Sequence, residues 1–265
     1  MDQSTAYFRE LHSNGHILRL PNAWDVASAK LFESLGAKAI ATTSAGAAWA
    51  LGYADGNKLP VSLAIALAAN LGRVLNVPLT VDIEGGYSDD PAKVAELAMQ
   101  LVDVGVAGIN IEDGRGPVDL LERKLWAIKD ALARHGSDLF VNARTDVFLA
   151  QLVPTSEMLS ESLTRAKKYA AAGADGIFIP ALAQKEHIEK VVAGIELPVN
   201  LLAWKGLADA ASLERLGVRR LSAGSTIALV TFGQAERAAR EFLEAGQSDK
   251  LTGPVSYSQM QGLFS

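Results

Sequence analysis

The chain has 265 residues, of which 49% are hydrophobic and 21% charged, with a formal net charge of -5. That composition supports a large core in one or two domains, and an acidic balance argues against a nucleic-acid surface, which needs a basic patch. There are no cysteines, which excludes disulfides, thiolate metal sites and a cysteine nucleophile. The first sixteen residues carry no apolar leader segment, and no apolar run reaches the about 18 residues of a membrane span. A soluble, cytoplasmic protein that binds neither membrane nor nucleic acid is the expectation.

In chain order, a strand over 17–25 ("ILRLPNAWD") opens a series of alternating elements. A helical pattern over 26–35 leads into a strand over 35–43 ("LGAKAIATT"), and a helix over 60–75 precedes a strand over 78–84 ("PLTVDIE"). A helix over 91–105 is followed by "VGVAGINIE" (104–112), and one over 120–136 by "DLFVNAR" (138–144). Helices over 156–173, 185–194 and 207–217 alternate with "AGADGIFIP" (172–180), "PVNLLA" (198–203) and "LGVRRLSAG" (216–224), and a last helix covers 226–246. Four of these joins read helix, Gly, short apolar run, because Gly takes the left-handed conformation that ends a helix. Pro60 and Pro91 stand where the first helical turn accepts Pro. About eight strand–helix alternations without a linker predict a parallel sheet covered by helices, and at this length a (β/α)8 TIM barrel in one domain. An open doubly wound sheet is the alternative, but no G-x-G-x-x-G follows the first strand.

Barrel chemistry collects where strands end. The strand over 78–84 carries Asp82 and Glu84, which alternation puts on one face of an otherwise apolar segment. The next strand ends at Asn110, Glu112 and Asp113, and the one after at Asn142, Arg144 and Asp146. Asp113 and Asp146 are read as helix caps, as is Asp25. Asp82, Glu84 and Glu112 on one rim repel one another unless a cation neutralises them, and oxygen ligands without His or Cys suit Mg²⁺ or Mn²⁺. The alternative is a structural pairing of Asp82 or Glu84 with Arg144. A hard cation can hold a 2-oxo acid and stabilise the enolate left when a bond to C3 breaks. Arg144 suits a second anionic group, the small-residue turn Thr43, Ser44, Ala45 and Gly46 lets backbone N–H groups approach a substrate, and Asp55 is placed to move a proton or support the substrate.

The stretches "LPNAWDVASAKLFESLGAKAIATTSAGAAWALGYADG", "VDIEGGY", "GINIEDG" and "VNARTDVF" together resemble the isocitrate lyase / phosphoenolpyruvate mutase superfamily, over about residues 8–230. The resemblance implies a Mg²⁺-dependent barrel enzyme that makes or breaks C–C or P–C bonds at C3 of a small 2-oxo or 2-hydroxy acid or phosphonate. It implies Asp82, Glu84 and Glu112 at the metal, Thr43–Gly46 at the substrate carboxylate, and Asp55 and Arg144 as catalytic and substrate-binding residues. It also implies a homotetramer, with the extension over 235–265 docked on a neighbouring subunit.

The chain departs from that pattern after "GINIEDG". Its loop is the short "DGRGPVDLLE" (113–122), without the K-K/R-C-G-H of isocitrate and methylisocitrate lyases, and the strand over 172–180 ends at Pro180-Ala181 without the His of the mutases. Oxaloacetate decarboxylase or phosphonopyruvate hydrolase-like chemistry, a Schiff base at Lys205 and a non-catalytic 2-oxo acid binding barrel therefore stand as alternatives. His12, His16, His135 and His187 are read as packing or surface residues.

Overall fold

The computed structural model describes residues 3–247, 251 and 253–265. Among the described residues, nine parallel strands run β1 (Leu18–Leu20), β2 (Asn22–Ala23), β3 (Ile40–Thr42), β4 (Leu79–Asp82), β5 (Gly108–Glu112), β6 (Phe140–Arg144), β7 (Gly176–Phe178), β8 (Val199–Leu202) and β9 (Arg220–Ser222). The sheet order is β1-β9-β8-β7-β6-β5-β4-β3-β2. β1 and β2 are consecutive in the chain, so the two ends of the sheet meet and close it. The predicted strand over 17–25 is a single stave broken at Pro21, which has no N–H to give but whose carbonyl accepts from Ala41 N at 3.2 Å. This is the expected (β/α)8 barrel.

The helices are α1 (Gln3–Ser13), α2 (Val26–Ser34), α3 (Ser44–Ala50), α4 (Val61–Val74), α5 (Pro91–Asp103), α6 (Val118–His135), α7 (Met158–Ala171), α8 (Lys185–Gly194), α9 (Ala210–Arg215), α10 (Thr226–Ala245) and α11 (Tyr257–Gly262). The Gly joins behave as predicted at Gly105 (φ 84°) and Gly217 (φ 92°), where a left-handed residue turns the chain from helix to strand. Outward strand residues such as Val81, Ile83, Ile109, Ile111 and Val141 are buried in one core with Leu97, Leu101, Leu125 and Ile128 of α5 and α6.

α1 was not legible in the sequence. It closes the foot of the barrel, where fully buried Phe8 packs edge-on to Phe140 at 5.4 Å. Gly108 is required there, since a Cβ would stand 2.7 Å from the Phe8 ring. His12 of α1 stacks on Phe140 at 4.2 Å, so of the four histidines it is a packing residue of the core.

At the other end, α10 extends for 20 residues with only Ala228 buried. The predicted extension over 235–265 takes in the second half of α10 and α11, and its residues 248–250 and 252 lie outside the described ones.

Candidate active site

Alternation along the strands turns Asp82, Glu112 and Arg144 into the barrel at its C-terminal rim. Register makes neighbours of Glu112 and Arg144 across β5–β6, and of Asp82 and Asn110 across β4–β5. Arg144 Nη1 meets Glu112 at 2.8 Å, while its Nε and Nη2 donate to the two oxygens of Asp146 at 2.6 and 3.0 Å. Burial works against a charged Arg144, but Glu112 and Asp146 raise its pKa. Burial pushes the Glu112 carboxyl up to about 8, opposed by Arg144 and assisted by Asp82. Among the described residues, Arg144 is thus the side-chain partner of Glu112, and of neither Asp82 nor Glu84.

Asp82 receives backbone support from below, where its own N–H donates to Thr42 Oγ1 at 2.9 Å. Burial raises its pKa, Arg144 opposes the rise, and the Ser44 hydroxyl donates to its carboxylate. Thr42, Ser44, Asp82 and Tyr87 line one narrow cleft. The predicted turn at Thr43–Gly46 is in fact a helix start. Thr43 is the N-cap of α3, and Gly46 N donates to its Oγ1 at 3.4 Å. Gly46 has no room for a side chain, since a Cβ would lie 2.9 Å from that of Trp24.

Glu84 follows β4 in a left-handed conformation (φ 50°), as do Gly86 and Tyr87. One of its oxygens accepts from Asn57 N–H, and the other, Oε1, is buried without a partner among the described residues. Burial raises its pKa, while the Asn57 N–H holds it down. Asn57 Oδ1 accepts in return from Gly85 N and Tyr87 N, both at 3.2 Å. Asp55 lies two residues before Asn57 on the same exposed loop, and its charge is felt at both Asp82 and Glu84. The structure therefore gathers all the predicted carboxylates and Arg144 at one rim.

Among the described residues, no three carboxylate or histidine side chains stand close enough to form a ready-made cation cage. The donor set suits an ion that keeps much of its own water, as Mg²⁺ does. It consists of oxygens only, and the buried, unpartnered Glu84 Oε1 is an acceptor waiting for a donor or a cation. On that observation the residues fit the metal.

Two expectations are corrected. Asp113 and Asp146 cap no helix among the described residues, where Pro117 and Glu157 precede α6 and α7. Asp113 is a buried hub: its Oδ1 accepts from Asp146 N at 2.9 Å, and its Oδ2 accepts from Arg165 at 2.9 Å and Tyr169 Oη at 2.7 Å. Asp146, held that way, is what orients Arg144. Asp25 does cap α2, in a capping box with Ser28. Arg165 and Tyr169 stand four residues apart, and the signal for them was an Arg on the inward face of α7. Asn57 gave only a turn signal, in "DGN". Lys205 lies exposed in a turn, without the apolar pocket that a Schiff-base lysine uses.

Beside Glu112, a cavity of about 470 Å³ is lined by Asn57, Tyr87, Asp89, Arg115 and Lys124. A larger one, of about 630 Å³, lies at the foot of the barrel by Leu18, Phe32, Leu35 and Ile227, away from all of these carboxylates.

Residues 8–243 match the model of the phosphoenolpyruvate phosphomutase family. The chain belongs to that family. It is 38% identical over 256 residues to an uncharacterized protein of Mycobacterium tuberculosis (strain H37Rv), covering 96% of this chain and 94% of that one. It is 30% identical over 230 residues to the oxaloacetate decarboxylase of Pseudomonas fluorescens (strain SBW25), covering 82% and 77%. The fold matches that of 2,3-dimethylmalate lyase, a PEP mutase/isocitrate lyase superfamily member, at a TM-score of 0.88 and 23% identity, over 100% of this chain and 95% of the other. Membership makes the protein an enzyme of the lyase and mutase type.

Proposed function

We propose that the protein is a divalent-cation-dependent lyase that breaks the C3–C4 bond of a small 2-oxo dicarboxylic acid, with oxaloacetate decarboxylation as the simplest case. The observation that carries this is the Asp82–Glu84–Glu112 rim facing Arg144. Asp82, Glu84 and Glu112 would hold Mg²⁺ or Mn²⁺, directly or through water, and the ion would supply a Lewis acid for the oxygen on which charge develops. The two electrons of the C3–C4 bond pass into the enolate, carbon dioxide leaves, and C3 then takes a proton.

Arg144 binds a substrate carboxylate as a fixed guanidinium oriented by Asp146, Ser44 and the first turn of α3 hold the other end, and Asp55 orders the C3 side. The loop over 113–117 brings neither the Cys nor the Lys expected of isocitrate cleavage or phosphoryl migration, and decarboxylation needs neither. A P–C bond in a phosphonate is the alternative substrate that the family description raises.

The reading also includes an oligomer, a tetramer by resemblance. Leu229, Val230 and Leu243 of α10 are 54, 60 and 82% exposed, an apolar face that a neighbouring subunit would cover.

The test is turnover of oxaloacetate, malates and phosphonopyruvate with Mg²⁺, read as pyruvate by proton NMR. Pyruvate from oxaloacetate, above the spontaneous rate and lost in Asp82→Ala, supports the reading. No turnover of any of them contradicts it.

A further inference from the structure

Below the rim, Arg220 is 1% exposed, yet among the described residues it forms no ion pair. Such a charge is expensive to bury, and arginine does not escape by losing its proton. Burial pulls its pKa down to about 9, against the opposing field of Asp82, so it keeps its charge at neutral pH.

Its contacts are all neutral. Nη2 donates to Asn110 Oδ1 at 3.1 Å, Nε donates to Ser222 Oγ at 3.3 Å, and Nη1 has no acceptor among the described residues. β9 and β5 are not neighbours in the sheet, so the Arg220–Asn110 bond crosses the barrel interior. Asn110 also accepts from Asn142 Nδ2 at 2.9 Å, and Ser222 passes the network on to Asn200 at 3.1 Å. A ring of amides and hydroxyls therefore pins an unpaired guanidinium under the site. Asn110 is the strand partner of Asp82, and Glu112 stands two residues further along the same strand.

The carboxylates above are in the opposite condition. Asp113 has Arg165 and Asp146 has Arg144, but among the described residues Asp82, Glu84 and Asp55 have no cation of their own, and Glu112 shares Arg144. An unpaired buried cation thus lies beneath a rim of acidic side chains, of which Glu84 is buried and Asp82 partly so.

We propose that Arg220 is the fixed counter-charge of this rim, a positioning residue that loosens the hold on the divalent cation and tightens the hold on the anionic substrate. The proposal rests on reading the rim as a cation site. Without Arg220 the carboxylates would bind a divalent ion more strongly but would repel a dianionic acid. With it, the site can take both in turn.

The test is calorimetric titration of Mg²⁺, and then of oxalate onto the Mg²⁺-loaded protein, in wild type, Arg220→Met and Arg220→Lys. Methionine fills similar volume without charge, a replacement that buried ion sites often tolerate. Arg220→Met is expected to bind Mg²⁺ on the order of tenfold more tightly and oxalate on the order of tenfold more weakly, the order of effect of removing one buried unit charge whose field reaches Asp82. Arg220→Lys keeps the charge but not the planar fork, and is expected to stay within about twofold of wild type for both.

Opposite shifts in Arg220→Met support the proposal, because damage to the fold would weaken both. Both constants weakened, or both unchanged, overturn it. If Arg220→Met does not fold, Arg220→Lys decides, since a purely structural role through Asn110 predicts losses in both constants there. Binding of neither ligand by the wild type removes the proposed function along with this role. Binding of both, unaltered by Arg220→Met, removes this role alone.

Discussion

Asn57 and Glu84 hold each other: the Asn57 N–H donates to the Glu84 carboxylate, and the Asn57 side-chain oxygen accepts from the two N–H groups that flank Gly86, those of Gly85 and Tyr87. Both residues sit in the left-handed region, at φ 58° and 50°. The loop that carries Asp55 is thereby locked to the turn that presents Glu84. Asn57→Gly keeps the backbone conformation and removes the acceptor, at about 1 kcal/mol. Asn57→Ala adds about 1 kcal/mol of left-handed strain. Thermal melting should rank wild type above Asn57→Gly and that above Asn57→Ala, with oxalate affinity lowered about tenfold in both. Wild-type behaviour in Asn57→Gly contradicts the lock.

Glu112 faces a choice between Arg144 and a cation. Burial holds its pKa near 8, above its ordinary value of 4.5, so the metal-free site carries a proton there at neutral pH. A cation needs the carboxylate. Mg²⁺ affinity should therefore rise with pH up to about 8 and level off above, with about one proton released per ion below that point. The same shift means that the metal-free folded protein binds the extra proton, so this group's contribution to stability is present below pH 4.5 and is lost as pH rises through about 8. Calorimetry in buffers of different ionisation enthalpy counts the proton. A pH-independent affinity in wild type contradicts this assignment.

His12 carries the acid limit of the fold. Burial, with help from the Arg220 charge, lowers its pKa from 6.5 to about 3, and its Nδ1 lies 2.7 Å from the Phe8 carbonyl, to which it donates. The unfolded chain binds the proton first, so stability is lost as pH falls from about 6.5 towards 3, by up to about 1.4 kcal/mol per pH unit. Denaturant unfolding at stepped pH should show that slope, reduced by about one proton in His12→Gln. An equal slope in the variant contradicts the assignment.

Gly108→Ala should be costly for so small a change. The new methyl would meet the Phe8 ring at 2.7 Å and the Phe140 carbonyl at 3.0 Å, at the point where α1 plugs the barrel. A loss of about 1–3 kcal/mol is expected, and a melting temperature equal to wild type would show that α1 gives way instead.

The exposed apolar face of α10 predicts an assembly. Light scattering should give a mass well above 28.0 kDa, and Leu229→Glu with Val230→Glu should lower it. A monomeric wild type contradicts the oligomer.

The barrel was legible because its strands are short and apolar and, after the first, follow a Gly, Pro or Asp, and because α2 and α4 to α10 repeat on apolar faces, whereas α3 read as a turn. Asp82, Glu84, Glu112 and Arg144 stood out because charged residues do not belong in buried strands. What escaped was long-range. Nothing local says that Phe8 of α1 reaches the barrel floor, that Asp113 gathers Arg165 and Tyr169 from α7, or that Arg220 spans to Asn110 across 110 residues of chain. Asp113, just after β5, looked like a capping residue because Asp is common there, and burial made it a hub instead.

The central claim is that the Asp82–Glu84–Glu112 rim binds a cation and, with it, an enolate-like acid. Its most direct test is calorimetric titration of oxalate with and without Mg²⁺, in wild type and Asp82→Ala. The account predicts Mg²⁺-dependent binding that Asp82→Ala abolishes. Oxalate binding that is indifferent to Mg²⁺, or no binding under either condition, would contradict it.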